Sequence, residues 1–158
     1  MTAPASSRNV ALGSLIAIAG GAVTAIGALL PWSVNVNGIG TTLGFDYGDG
    51  YDGKIFLFLA VLTIVASGVR LLENRLPPGA VGTVGRLLGS GAGIALLCGA
   101  YIASFAFIHL RDISAAVESI NSAAPGLASV GLGIYLDLAA GLAMMVGGGI
   151  GLISSGRQ

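Results

Sequence analysis

Four long apolar runs decide what this chain can fold into. Residues 9–31 carry no charge, 55–72 carry only Arg70 near their end, 87–110 carry none, and 130–155 carry only Asp137. A helix needs about 20 mainly apolar residues to cross a bilayer. There it satisfies every backbone polar group internally, which few other structures achieve. No segment between the runs is long enough to build a core of its own, so residues 1–158 read as a single integral membrane domain. The expected fold is an all-α membrane protein, a four-transmembrane-helix bundle. It carries a small extracytoplasmic β-hairpin in an outer loop at 32–54 and a short outer amphipathic helix in a second at 111–129.

Composition excludes the soluble alternatives. Charged residues make up 9% of the chain, against about 25% in an ordinary soluble domain. A soluble protein with so little charge lacks the polar groups to cover its surface. The basic cluster of a nucleic-acid binder is missing, as is the high net charge of a disordered chain. The single cysteine, Cys98, lies in an apolar run and has no partner for an intrachain disulfide. It reads as a small packed hydrophobe.

The first run is longer than a signal-peptide core and ends in Leu29-Leu30-Pro31-Trp32, so it reads as an uncleaved helix. Pro31 stops the helix and Trp32 suits the headgroup layer. With four spans, Arg8, Arg70, Arg75, Arg86 and Arg157 fall on one side, and Lys54 and Arg111 on the other. The Arg-rich side is cytoplasmic by the positive-inside rule, which places both termini inside. The outer side holds six of the seven acids when Asp137 is included. The net charge of zero is thus two opposed layers around an almost uncharged slab.

In lipid, close backbone approach through small residues replaces the hydrophobic drive between helices. Gly13, Ala17 and Gly21 repeat every four residues in the first span. Gly89 and Gly93 do so in the third, and Gly133, Gly141 and Gly149 line the fourth. The first, third and fourth helices are expected to pack tightly through these residues, leaving the bulkier second helix facing lipid.

In the first outer loop, Asn37-Gly38 is a two-residue turn signal. A turn there sets Val34 opposite Thr41 and puts Val34, Val36, Ile39, Thr41, Leu43 and Phe45 on one face. Asp46, Asp49 and Asp52 follow, interleaved with glycine. Carboxylates on a pliant loop suit a divalent cation such as calcium, although the spacing is not that of an EF-hand. The other reading is a solvated turn with Asp52 at the N-terminus of the second helix.

The Leu30-Pro31-Trp32 helix end, the β-like stretch and the Gly/Asp-rich segment 46–54 together resemble small four-helix membrane proteins of actinobacteria. The resemblance spans roughly residues 10–70. It implies this topology and a bacterial plasma membrane, with no activity attached. The preference for Arg over Lys, with abundant Gly and Ala, suits a high-GC genome.

In the second outer loop, Ile113, Ala116, Val117 and Ile120 have helical spacing, and Pro125-Gly126 ends the pattern; this short amphipathic helix either extends the third span beyond the lipid or lies on the surface. Their apolar face and that of the hairpin are expected to meet in an outer cap. Asp137 is the only acid inside a span. It pairs with Lys54, Arg111 or His109 at neighbouring helix ends, or it serves an ion or proton path.

No nucleophile–base pair, phosphate-binding motif or metal-ligand cluster stands out. The leading expectation is a non-enzymatic membrane protein without a cofactor, an accessory subunit or envelope-associated scaffold. It would sit in the lipid bilayer and contact a membrane-protein partner or a second copy of itself. The alternatives are a small oligomeric transporter or channel using Asp137, and an extracytoplasmic cation-responsive protein using Asp46, Asp49 and Asp52.

Overall fold

A computed structural model describes residues 5–35, 41–44, 52–72 and 91–155. The elements are α1 (Ala5–Leu29), β1 (Pro31–Asn35), β2 (Thr41–Leu43), α2 (Asp52–Leu72), α3 (Gly91–Ala123), β3 (Ala128–Val130) and α4 (Leu132–Ser155). Four of them, α1 to α4, are long and apolar enough to cross a membrane.

The third helix is longer than the sequence pattern suggests. At 33 residues it reaches about 50 Å, against a hydrocarbon core of roughly 30 Å. Of the two placements open to the expected outer amphipathic helix, the structure has the first: it forms the last three turns of α3, with a simple cause. Residues 110–123 contain neither glycine nor proline, and the Ser114 hydroxyl donates to the Leu110 carbonyl within the helix at 2.6 Å. Nothing breaks the helix before Pro125 and Gly126. There the Leu127 N–H donates back to the Ala124 carbonyl at 3.4 Å and Gly126 takes φ 81°, as the third position of a type II turn requires.

The inward line of this extension is Ile113, Val117 and Asn121, while Ala116 and Ile120 are exposed. Asn121 clamps the strand that follows. Its Nδ2 donates to the Ala128 carbonyl at 2.9 Å, and its Oδ1 accepts from the Ala128 N–H at 3.0 Å.

Three short strands form one sheet in the order β2-β1-β3. Val34 stands opposite Thr41 and Ser33 opposite Thr42, but Pro31 stands opposite Leu43. One extra residue, Trp32, is therefore accommodated on β1, a bulge that re-aims a side chain. On the other edge of β1, Ser33, Val34 and Asn35 pair with Val130, Ser129 and Ala128. β3 falls in a stretch expected to be loop. The Asn37-Gly38 turn, Val36, Ile39 and Phe45 lie outside the described residues. The strands join the C-terminal end of α1 to the N-terminal end of α4, so the sheet sits at one end of an up-down-up-down bundle.

Helix α4 is the central packing element, lying against both α1 and α3, while α1 and α3 occupy a diagonal and scarcely touch. The expectation that α1, α3 and α4 pack mutually is corrected to that extent. Gly133, Asp137, Ala140, Met144, Gly147, Gly151 and Ser154 are buried on α4, at alternating steps of four and three. Gly13, Ala17, Gly20, Thr24 and Gly27 repeat the same steps on α1, all buried. A 3.5-residue repeat is the seam of a left-handed helix pair. Glycines make it close: a Cβ at Gly13 would stand 2.6 Å from the Gly147 carbonyl, and one at Gly133 would stand 2.6 Å from that of Gly27.

A second line on each helix meets its other neighbour. Gly141 and Gly148 abut Ala103 and Leu96 of α3, and Gly21 abuts Ala60 and Ile64 of α2. Gly133, Gly141 and Gly149 thus do not share one stripe: they face α1, α3 and open space. Gly93 is half-buried on α3, and Gly89 lies outside the described residues. α2 is the least buried span, yet it still turns Phe56, Ala60, Thr63, Ala66 and Ser67 inward. At the end opposite the sheet, the Arg70 guanidinium donates to the Ser155 hydroxyl at 3.0 Å, tying α2 to α4.

Candidate functional site

The feature that stands out chemically is the acid in the second turn of α4. The Asp137 side chain is fully buried, with 0% exposure. Its Oδ2 accepts a hydrogen bond from the Trp32 indole Nε1 at 3.1 Å, and the same N–H lies 3.3 Å from the Gly27 carbonyl. Its Oδ1 has no hydrogen-bond partner.

The expected pairing with Lys54, Arg111 or His109 is not formed. Lys54 and Arg111 are exposed, and His109 turns its Nε2 to Asp52 Oδ2 at 3.2 Å. An indole, not a cation, serves the carboxyl.

Trp32 also departs from its expected place. It does not lie at a headgroup surface but is fully buried, because the β1 bulge turns it onto the helix ends. Its ring tilts against Phe56 of α2 at a centroid distance of 5.4 Å and against His109 of α3 at 5.6 Å. The site thus gathers β1, α2, α3 and α4 around one ring, with Gly27 of α1 beneath the carboxyl.

Glycines make room for that ring. A Cβ at Gly27 would overlap the Asp137 carboxyl, one at Gly44 would overlap the indole nitrogen, and one at Gly131 would overlap the Pro31 carbonyl. A Cβ at Gly133 would stand 2.8 Å from Trp32 Cδ1. Two backbone bonds hold the neighbouring chain, Gly44 N–H to the Leu30 carbonyl at 3.1 Å and Gly131 N–H to the Trp32 carbonyl at 2.7 Å.

Of the three loop carboxylates, Asp52 is the first residue of α2, half-buried and engaged with His109. Asp46 and Asp49 lie outside the described residues, and among the described residues no three metal-ligating side chains cluster. Cys98 is buried. Thr24 donates to the Met144 sulfur across the α1–α4 seam at 3.7 Å.

Sequence reasoning singled out Asp137 but not its surroundings. Gly27, Gly44, Gly131 and Gly133 look like any other glycines in a membrane chain until Trp32 is known to point inward. Chemically, the carboxyl lies against the Gly27 backbone and bonds the Trp32 indole. One carboxyl oxygen is oriented toward one donor. Comparison with family models, curated proteins and solved structures gives no match for this chain.

Proposed function

We propose that this chain is a non-enzymatic, multi-pass membrane protein of the scaffold or accessory-subunit kind. It acts through contact with a membrane-protein partner or a second copy. One observation carries the reading: Asp137, the acid within α4, is fully buried and bonded to Trp32. A transport acid faces a water-filled path, whereas this one fastens the sheet to the helices. The distribution of arginine supports cytoplasmic termini and an outer sheet. The Leu30-Pro31-Trp32 helix end and the Gly/Asp-rich loop support a bacterial plasma membrane, as in the actinobacterial proteins the chain resembles.

Native mass spectrometry after extraction in mild detergent tests the reading. The expected result is a complex of fixed stoichiometry, with a second membrane protein or another copy. A monomer that supports solute flux in liposomes, lost in Asp137→Asn, would overturn it.

A further inference from the structure

We propose that Trp32 and Asp137 form a proton-operated latch, shut when the carboxyl carries its proton and released when it ionises. The latch deepens the scaffold reading and rests on it, because it would control the outer layer through which contact is made. Three observations lead here.

First, packing does not require an acid at this place. The buried positions of α1 and α4 match in order: Gly13 with Gly133, Gly20 with Ala140, Gly21 with Gly141, and Gly27 with Gly147. In that correspondence Asp137 occupies the place of Ala17. Ala17 is buried at its end of the seam, against Gly147, with 1% exposure. A methyl group suffices there, so the carboxyl meets some other need.

Second, the carboxyl is half used. Oδ2 accepts from the indole and Oδ1 accepts from nothing. Among the described residues, the surrounding elements present no counter-charge to it. α1 offers Gly27, β1 offers Trp32, and β3 has no ionisable residue. From α2 the nearby groups are Asp52 and Lys54; the first is bound to His109 and the second is exposed. From α3 they are His109, whose ring lies tilted against Trp32, and Arg111 and Asp112, both exposed. An ionised carboxylate held here would have one indole donor and no cation, an arrangement that buried charges do not tolerate. Hydrating it means parting the sheet from the helices.

Third, the sheet follows Trp32. β1 is the central strand, and the Trp32 carbonyl also holds Gly131. Withdrawing Trp32 therefore loosens both edge strands together.

Trp32 is the chain's single tryptophan, so tryptophan emission reads the latch directly. The protein in nanodiscs of a zwitterionic lipid is titrated from about pH 5 to about pH 9. The expected result is a red shift and new quenching by iodide as pH rises. Asp137→Asn keeps an acceptor but cannot ionise, so its emission should stay blue throughout. His109→Gln should keep the transition.

Wild-type emission that never shifts, a transition surviving in Asp137→Asn, or one lost in His109→Gln overturns the latch. If Asp137→Asn does not fold, amide exchange of residues 31–35 in the wild type and His109→Gln decides. After correction for intrinsic rates, exchange must rise with pH in both proteins; flat exchange in either overturns the proposal. Flux in liposomes would sink the scaffold reading while leaving these fluorescence outcomes unchanged, so the two failures are distinguishable.

Discussion

The two ends of the α1–α4 seam are built on one pattern and closed by different chemistry. At the end away from the sheet, Gly13 and Gly147 bring the two backbones together and Ala17 is buried beside them. At the sheet end, Gly27 and Gly133 do the same, but Asp137 stands where the pattern has alanine and Trp32 comes down upon it. Where α1 meets α4, the first end is held by close backbone approach and dispersion. The second adds a directional bond and a large ring, and so couples the helices to what lies above them. A uniform seam would make a stable bundle; the asymmetric one ties its sheet to the state of one carboxyl.

The largest way to break the comparison is Trp32→Ala. It removes a fully buried ring, takes the donor from Asp137 and empties the space beside Gly44 and Gly133. Truncating a buried Trp costs about 3–5 kcal/mol, which should appear as a marked fall in the detergent unfolding temperature. Among the described residues nothing at the other end matches it, because no aromatic ring closes that end.

A smaller pair of changes separates the ends from each other. Gly27→Ala and Gly147→Ala both force backbones apart, and overpacking of this kind costs about 1–3 kcal/mol. Their consequences should differ. Gly147→Ala presses on Gly13 and Ala17 and leaves Trp32 alone. Gly27→Ala presses on the Asp137 carboxyl itself. Both should lower the unfolding temperature, but only Gly27→Ala should red-shift Trp32 emission at low pH. Equal emission in the two variants would mean that the ends are not independent.

The four spans were legible because lipid demands long uncharged runs and tolerates little else. Glycine was legible as packing material but not by partner. A four-residue step and a 3.5-residue seam share several residues, and only the seam assigns Gly21 to α2 and Gly20 to α4. The helix at 113–120 was legible from its spacing, but spacing alone does not decide between a continuation of α3 and a separate surface helix; the absence of glycine and proline from 110–123 does. The inward turn of Trp32 was not readable at all. It depends on a one-residue bulge that arises only when β1 meets β2, and on β3, three residues with no strong alternation of their own. Asp137 was visible as an anomaly, but its partner was set by that bulge.

The smallest predicted effect tests whether the glycines matter by position or merely by number. A Cβ at Gly149 meets nothing within 4 Å, whereas a Cβ at its neighbour Gly148 would stand 2.5 Å from the Leu96 nitrogen. Glycine inside a helix costs up to about 1 kcal/mol relative to alanine, because the unfolded backbone has more freedom to lose. Gly149→Ala should therefore leave the fold intact and raise the unfolding temperature slightly, with no change in Trp32 emission. Gly148→Ala, one residue away, should lower it. If both variants lower it alike, the face bearing Gly149 is packed against something other than lipid. The contrast between α4's two neighbours and its open side would then need to be redrawn.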